Sequence, residues 1–176
     1  VDDISINGSI DFIGSGKVTL YVKNTINLGG GGTLNKKSEG ETENQAIEQL
    51  TIFYEGTDEL TVANDVKVYA SVYAKTAQVQ LTGGSGYMGH IFTGSTEQLE
   101  IINDADAHSR IICAPYAPVI CTDGGRVKGS IICKSIEVSG GAKIEFVASD
   151  EYADIPFEVK NPGEKNLLII DPIRER

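Results

Sequence analysis

Residues 73–89 read YAKTAQVQLTGGSGYMG, and residues 113–129 read CAPYAPVICTDGGRVKG. Each stretch has an apolar pair spaced two apart, then a threonine, a glycine-containing turn and a closing glycine at the same distance. The chain therefore contains nearly the same sequence pattern twice, 40 residues apart. Self-similarity at a fixed spacing is the sequence signature of a repeat architecture.

The apolar pair recurs along most of the chain and defines the period. Its copies are Ile4-x-Ile6, Ile26-x-Leu28, Leu60-x-Val62, Val79-x-Leu81, Leu99-x-Ile101, Val119-x-Cys121 and Ile136-x-Val138. From Leu60 onward the steps are 19, 20, 20 and 17 residues. One apolar element precedes each pair and another follows its turn, so a period holds three short strand-like pieces. Gly, Asn or Asp separates them, which suits corners with positive φ.

A period near 20 residues with three strands predicts an all-β, single-stack β-solenoid. We expect a right-handed parallel β-helix of six or seven coils, with 17–20 residues per coil. Coils about 4.8 Å apart can pair their backbone groups with the coils above and below. An antiparallel sandwich is the structural alternative. A sandwich does not explain why similar turn residues recur every 17–20 residues.

Two segments depart from the repeat. Residues 35–49 (NKKSEGETENQAIEQ) are polar and charged, and we interpret them as an insertion with a helical turn over 43–50. The solenoid repeats are predicted for residues 1–146, interrupted by that insertion. Residues 147–176 are predicted to form C-terminal capping strands, because the open end of a solenoid needs a cover.

Composition excludes some partners. The net charge is −10, so nucleic acid is a poor partner. No run of 18 apolar residues exists, so no membrane span is expected in this fragment. The first residue is Val rather than Met. We expect a trimmed piece of a longer protein whose targeting or anchoring segment was removed.

The most site-like stretch contains Asp104, Asp106 and His108. On an extended strand these side chains share one face, which makes them weak candidates for a metal site. Three such ligands span roughly 13 Å, too far to converge without a bend. The stretch also coincides with a corner of the repeat, where Asn and Asp serve turn geometry. We therefore predict no metal, no cofactor and no catalytic residues.

The three cysteines are predicted to be free thiols. Cys113 and Cys133 are 20 residues apart, so we expect them on neighbouring strands, in line with Phe53, Tyr73 and Phe92. Stacked parallel neighbours are somewhat too far apart for an unstrained disulfide, although a bond stays an alternative. Cys121 occupies an inward position and is predicted to be a core residue.

Several tyrosines leave two interpretations open. Those we expect to be exposed are Tyr54, Tyr69, Tyr73 and Tyr116. Aromatic faces suit sugar rings, which would make these residues a glycan-binding surface. Equally, they can be ladder residues that pack on the neighbouring coils, and this second interpretation is favoured.

With the repeat established, residues 50–146 resemble a known family. The matching segments are LTIFYEG at 50–56, VYAKTAQV at 72–79, CAPYAPV at 113–119, GSII at 129–132 and VSGGAKI at 138–144. They are similar to the β-helical C-terminal regions of bacterial pilus-assembly (PilX-like) and related surface proteins. Lys75 stands where that family has a proline, and Asn64-Asp65 and Asp123-Gly124 stand where Gly-Asn is usual.

The resemblance implies a non-enzymatic bacterial cell-surface or pilus-associated domain with a structural or adhesive role. Its partners would be surface or pilus proteins, with glycans as an alternative, and its location would be extracellular or on the cell surface. One alternative is a self-assembling, polymer-forming (bactofilin-like) β-solenoid in the cytoplasm. Another is a carbohydrate-binding or carbohydrate-active β-helix, which needs a carboxylate cluster that the scattered acidic residues do not indicate.

Overall fold

The structure, a computed structural model, describes residues 1–36, 40, 42–108 and 111–147. The first elements in chain order are β1 (Asp3–Asn7), β2 (Val18–Val22), β3 (Thr25–Gly29), β4 (Thr33–Leu34), α1 (Glu43–Gln49) and β5 (Leu50–Tyr54). Then follow β6 (Leu60–Val62), β7 (Lys67–Tyr69), β8 (Ser71–Ala74), β9 (Val79–Leu81), β10 (Gly86–Met88) and β11 (Ile91–Thr93). The last are β12 (Leu99–Ile101), β13 (Asp106–His108), β14 (Ile111–Cys121), β15 (Arg126–Lys128), β16 (Ser130–Val138) and β17 (Lys143–Glu145).

These strands stack in three parallel rows. The first row is β2, β5, β8 and β11, and the second is β1, β3, β6, β9 and β12. The long strands β14 and β16 continue both of these rows, while the third row is β4, β7, β10, β13, β15 and β17. The chain thus winds through about seven coils. The predicted all-β, single-stack β-solenoid is confirmed.

The second row consists of the apolar pairs that defined the period. Leu60 pairs with Val79, and Leu99 pairs with Val119, so equivalent positions of the repeat lie directly above one another. These side chains point inward and are at most 3% exposed. Burial of about 2 kcal/mol per apolar side chain, repeated along the stack, holds neighbouring coils together.

The corners between the second and third rows have the predicted chemistry. Asn64 and Asp65 have φ of 55° and 61°, and Gly83 and Gly84 on the next coil have φ of 61° and 69°. The Asp65 N–H donates to the Gly83 carbonyl at 3.0 Å, and the Gly84 N–H donates to Asn103 at 3.1 Å. The left-handed turns therefore continue the intercoil hydrogen bonding around the corner.

The predicted helical turn in the insertion is confirmed as α1. Thr42 is its N-cap, and its hydroxyl accepts from the Gln45 N–H at 3.3 Å while the Gln45 side chain accepts from the Thr42 N–H at 2.8 Å. This capping box satisfies donors at the helix start. The buried Asn35 amide donates to the carbonyls of Ala46 at 2.6 Å and Tyr69 at 3.1 Å, which fixes the helix against β7.

Of the predicted cap, residues 147–176, only Val147 falls within the described residues, so the cap stays a prediction. Across the described part of the chain, no helix has the length and apolar character needed to cross a membrane.

Candidate functional site: an aromatic groove on the first strand row

Four aromatic side chains form a column on the outer side of the first row. They are Tyr21 on β2, Phe53 on β5, Tyr73 on β8 and Phe92 on β11, and each lies in register with the next. Successive ring centroids are 5.1, 5.0 and 4.6 Å apart, and successive ring planes differ by 12°, 23° and 4°. We call this column the aromatic ladder.

The repeat itself produces the aromatic ladder. On β5, Ile52 and Tyr54 point into the core, so the side chain between them, Phe53, points outward. The same alternation operates on the neighbouring strands. Because parallel strands lie about 4.8 Å apart, rings at equivalent positions are held within stacking distance.

The aromatic ladder lines a surface groove of about 520 Å³. Cys113 follows Phe92 in register, so the next described strand carries a thiol and not a ring at this position. Beyond the strands, Glu55, Lys75 and Gly94 form one edge of the groove. The site is therefore an apolar strip with one acidic and one basic side chain beside it.

Backbone hydrogen bonds hold that edge in place. The Glu55 N–H donates to Val22 at 2.9 Å, and the Lys75 N–H donates to Tyr54 at 2.9 Å, so the row continues past the strand ends. A Cβ at Gly94 would overlap the Lys75 carbonyl, and only glycine allows this approach. Backbone contacts between successive coils thus hold this edge of the groove in place.

Stacking determines which parts of the rings a ligand can reach. The faces of Phe53 and Tyr73 are covered by the rings above and below, so the groove presents mainly ring edges. Tyr21 ends the column and is 63% exposed. The groove therefore suits an apolar side chain or alkyl segment better than the flat face of a sugar.

Of the tyrosines predicted to be exposed, Tyr116 is 62% exposed. The prediction was wrong for Tyr54, which points into the core and is 1% exposed. Its hydroxyl lies 2.8 Å from the Asn24 carbonyl and 3.0 Å from the Asp58 carbonyl. Tyr73 belongs to the aromatic ladder, so the ladder interpretation is confirmed for it.

The weak metal candidates are only partly brought together. Asp106 and His108 share the outer face of β13, and His108 Nε2 lies 3.2 Å from Asp106 Oδ1. Asp104 sits in the preceding corner with φ of 60°, which is the turn role that the sequence favoured. Within the described ranges, no three His, Cys, Asp or Glu side chains are grouped so that they could hold a metal ion.

The expected stacking of Cys113 on Cys133 was wrong. Cys113 pairs with Ile132, and Cys133 pairs with Ala114. Cys113 lines the outer groove while Cys133 packs against the core, so the two thiols lie on opposite faces of the sheet. All three cysteines are free, as predicted. Burial raises the pKa of the Cys113 and Cys133 thiols, which leaves both protonated and weakly nucleophilic at neutral pH.

Comparison with known proteins identifies a family but no characterised relative. Residues 1–108 match the family model described as a domain of unknown function (DUF7305). Neither the curated proteins nor the solved structures give a match. Because the matched region, from β1 through β13, is more than half of the chain, the protein belongs to the DUF7305 family.

Proposed function

We propose that this domain is a non-enzymatic structural and adhesive module of a bacterial cell surface or pilus. The observation that carries the proposal is the groove along the aromatic ladder, on the outside of a stack of coils. The apolar lining of this groove is partly exposed, with Tyr21 63% exposed and Phe53 and Tyr73 half-buried, and an apolar surface of this kind is suited to an interaction. The coil stack supplies the rigid support, since each coil is hydrogen-bonded to its neighbours.

Two further properties support this proposal. The segments at 50–56, 72–79 and 113–119 resemble the β-helical regions of pilus-assembly proteins. The net charge of −10 favours solubility and disfavours nucleic acid as a partner. An extracellular or cell-surface location follows from the same resemblance and belongs to the proposal.

The partner that best fits the groove is a surface or pilus protein. Ring edges offer contact to apolar side chains, and Glu55 and Lys75 at the edge offer one charge of each sign to a polypeptide. A glycan would need open ring faces, and the column leaves Tyr21 as its terminal ring. Protein recognition is therefore proposed ahead of sugar recognition.

The test has two parts, location and contact. Antibodies against the domain should label intact cells of the source organism without permeabilisation. Purified full-length chain should bind isolated pili or surface-protein fractions, measured by biolayer interferometry. Tyr21→Ser combined with Tyr73→Ser should weaken that binding by about tenfold or more, equivalent to ~1.4 kcal/mol.

Tyr116→Ser is the matched control, because Tyr116 is an exposed tyrosine outside the groove lining. Equal binding by both variants would remove the groove from the proposal. Labelling only after permeabilisation would overturn the surface location. Binding to deproteinised surface polysaccharide, abolished by the groove variant, would replace the protein partner with a glycan.

A self-assembling filament remains a second candidate because one observation favours it. Among the described strands, β16 is the last of the first two rows and pairs only with β14, and its apolar side chains Ile132, Ile136 and Val138 are exposed. Such an edge can pair with another chain. Sedimentation velocity over a range of concentrations separates the two proposals, since a filament grows with concentration and a surface module does not.

A further inference from the structure

The outer face of the third row carries a second concave surface, which is lined mainly by charged side chains where the groove is mainly apolar. It is an open cleft of about 350 Å³ formed by β13, β15 and β17. Its lining includes the ionisable side chains Asp106, His108, Arg126, Lys128, Lys143 and Glu145. We call it the charged cleft.

The register brings two basic side chains together in this cleft. Arg126 pairs with Asp106 on one side and with Lys143 on the other. On parallel strands such partners are about 4.8 Å apart. Like charges placed directly opposite one another are unfavourable, so the Arg126–Lys143 pair costs stability unless an anion lies between them.

The acids of the cleft compensate these charges only in part: Asp106 is the register partner of Arg126 and Glu145 that of Lys128, whereas the register partner of Lys143 among the described strands is Arg126. Asp106 Oδ1 lies 3.2 Å from His108 Nε2 and has no hydrogen-bond partner among the described residues. Among the described residues, Arg126, Lys128 and Lys143 form no ion pair.

We propose that the charged cleft binds a single oxyanion group, a phosphate or a carboxylate, between Arg126 and Lys143 with Lys128 beside them. Arginine offers a planar fork of donors that matches both groups, and lysine adds a mobile positive charge. Asp106 and Glu145 flank the pocket and limit the anion to the centre of the basic cluster. This site is independent of the proposed function, which rests on the first row.

The charge of the whole chain argues for one anionic group rather than a polyanion. With a net charge of −10, an extended polyanion would be repelled along most of its length. At physiological ionic strength the screening length is about 8 Å, so the local basic cluster still attracts a single group. The ligand is thus a molecule that carries one phosphate or carboxylate and no further negatively charged group.

Thermal unfolding and NMR titration of the full chain with inorganic phosphate at low ionic strength test this proposal. Phosphate should raise the melting temperature saturably and shift the amide signals of β13, β15 and β17. Arg126→Gln and Lys143→Gln should each weaken phosphate binding by about tenfold or more. Without phosphate, both variants should melt at the same temperature as the parent or higher, because like-charge repulsion is relieved.

Lys17→Gln removes an exposed lysine elsewhere and serves as the matched control. It should leave both the melting temperature and the phosphate response unchanged. A parallel titration with acetate at equal ionic strength distinguishes a carboxylate site from a phosphate site. An equal phosphate response in parent, Lys143→Gln and Lys17→Gln would overturn the proposal, and so would shifts that do not saturate.

Discussion

Two tyrosines, Tyr54 and Tyr87, are equally buried but differ in the hydrogen-bond partners of their hydroxyl groups. Tyr54 and Tyr87 both point into the core and are 1% and 2% exposed. The Tyr54 hydroxyl has carbonyl oxygens within hydrogen-bonding distance, while no partner for the Tyr87 hydroxyl is found among the described residues. A buried hydroxyl without a partner costs about 1–3 kcal/mol, so the two phenols contribute to stability with opposite sign.

Tyr87→Phe should therefore raise the free energy of unfolding by about 1 kcal/mol, because it removes an unsatisfied polar atom and keeps the ring. Tyr54→Phe should lower it by about 1 kcal/mol, because it leaves carbonyls without their donor. Urea unfolding followed by circular dichroism measures both values. The same sign for both substitutions would contradict the assignment of partners.

Alkaline pH should unfold the protein through the same residues. Burial, then Asp58 and Asp3, raises the pKa of Tyr54, and burial raises the pKa of Tyr73 and Tyr87. An unfolded tyrosine titrates near about pH 10, so the folded chain binds more protons above that pH. The stabilisation is complete below about pH 10 and declines as the pH rises towards the folded pKa values. Melting temperatures from pH 8 upward measure the decline, which Tyr87→Phe should make shallower.

The corner residue Gly84 combines a left-handed backbone with little room for a side chain. Its φ is +69°, and a Cβ there would lie 2.5 Å from Asp65 Oδ1 on the neighbouring coil. Gly84→Ala should lower the free energy of unfolding by about 2 kcal/mol, most of it from the left-handed backbone. Gly16→Ala is the control, since nothing lies within 4 Å of its Cβ position. Adding Asp65→Ala to Gly84→Ala should restore only the steric part of the loss.

At the scale of the elements, the first row couples neighbouring coils through the aromatic ladder. Phe53 and Tyr73 are stacked with ring centroids 5.0 Å apart. A double-mutant cycle with Phe53→Ala and Tyr73→Ala should give a coupling energy of about 0.5–1.5 kcal/mol. Urea unfolding of the four proteins measures it. The cycle for Phe53 and Tyr116, which no described ring contact joins, should give a value near zero.

The repeat made most of the strand stacking predictable from the sequence. The apolar pairs fix the second row, and equal steps of about one coil place Phe53, Tyr73 and Phe92 in one column. Tyr21, the fourth ring of the aromatic ladder, was missed because its partner Phe53 lies 32 residues away, across the insertion. The insertion at 35–49 interrupts the 20-residue period, so the period does not indicate β2, although β2 pairs regularly with β5.

The error at Cys133 arose from a local change of register. Ile112 pairs with Ile131, a step of 19 residues, and Val119 pairs with Ile136, a step of 17, with an irregularity between Ala114 and Pro118. The expectation used a uniform step of 20, which turns Cys133 to the wrong face of the sheet. The charged cleft was not predicted either, because its side chains are joined by register in the third row and not by any sequence motif.

At the scale of the whole molecule, the two ends of the stack are not equivalent to its middle. In the central coils Leu99 and Ile101 are fully buried. On the last described coil the equivalent residues Ile136 and Val138 are 49% and 48% exposed, because among the described strands β16 pairs only with β14. An apolar edge strand of nine residues is a template for association with another chain.

The cap predicted for residues 147–176 follows the last described strand along the chain, and we expect it to cover this edge. A chain ending at Val147 should therefore associate at micromolar concentrations, while the full chain stays monomeric, as measured by sedimentation velocity. Adding Ile136→Lys to the shortened chain should return it to a monomer, since a charge on an edge strand blocks pairing. Lys134→Gln in the shortened chain is the control and should not prevent association. If the full and shortened chains associate to the same extent, the segment after Val147 does not protect the edge, and the filament becomes the better account of the protein.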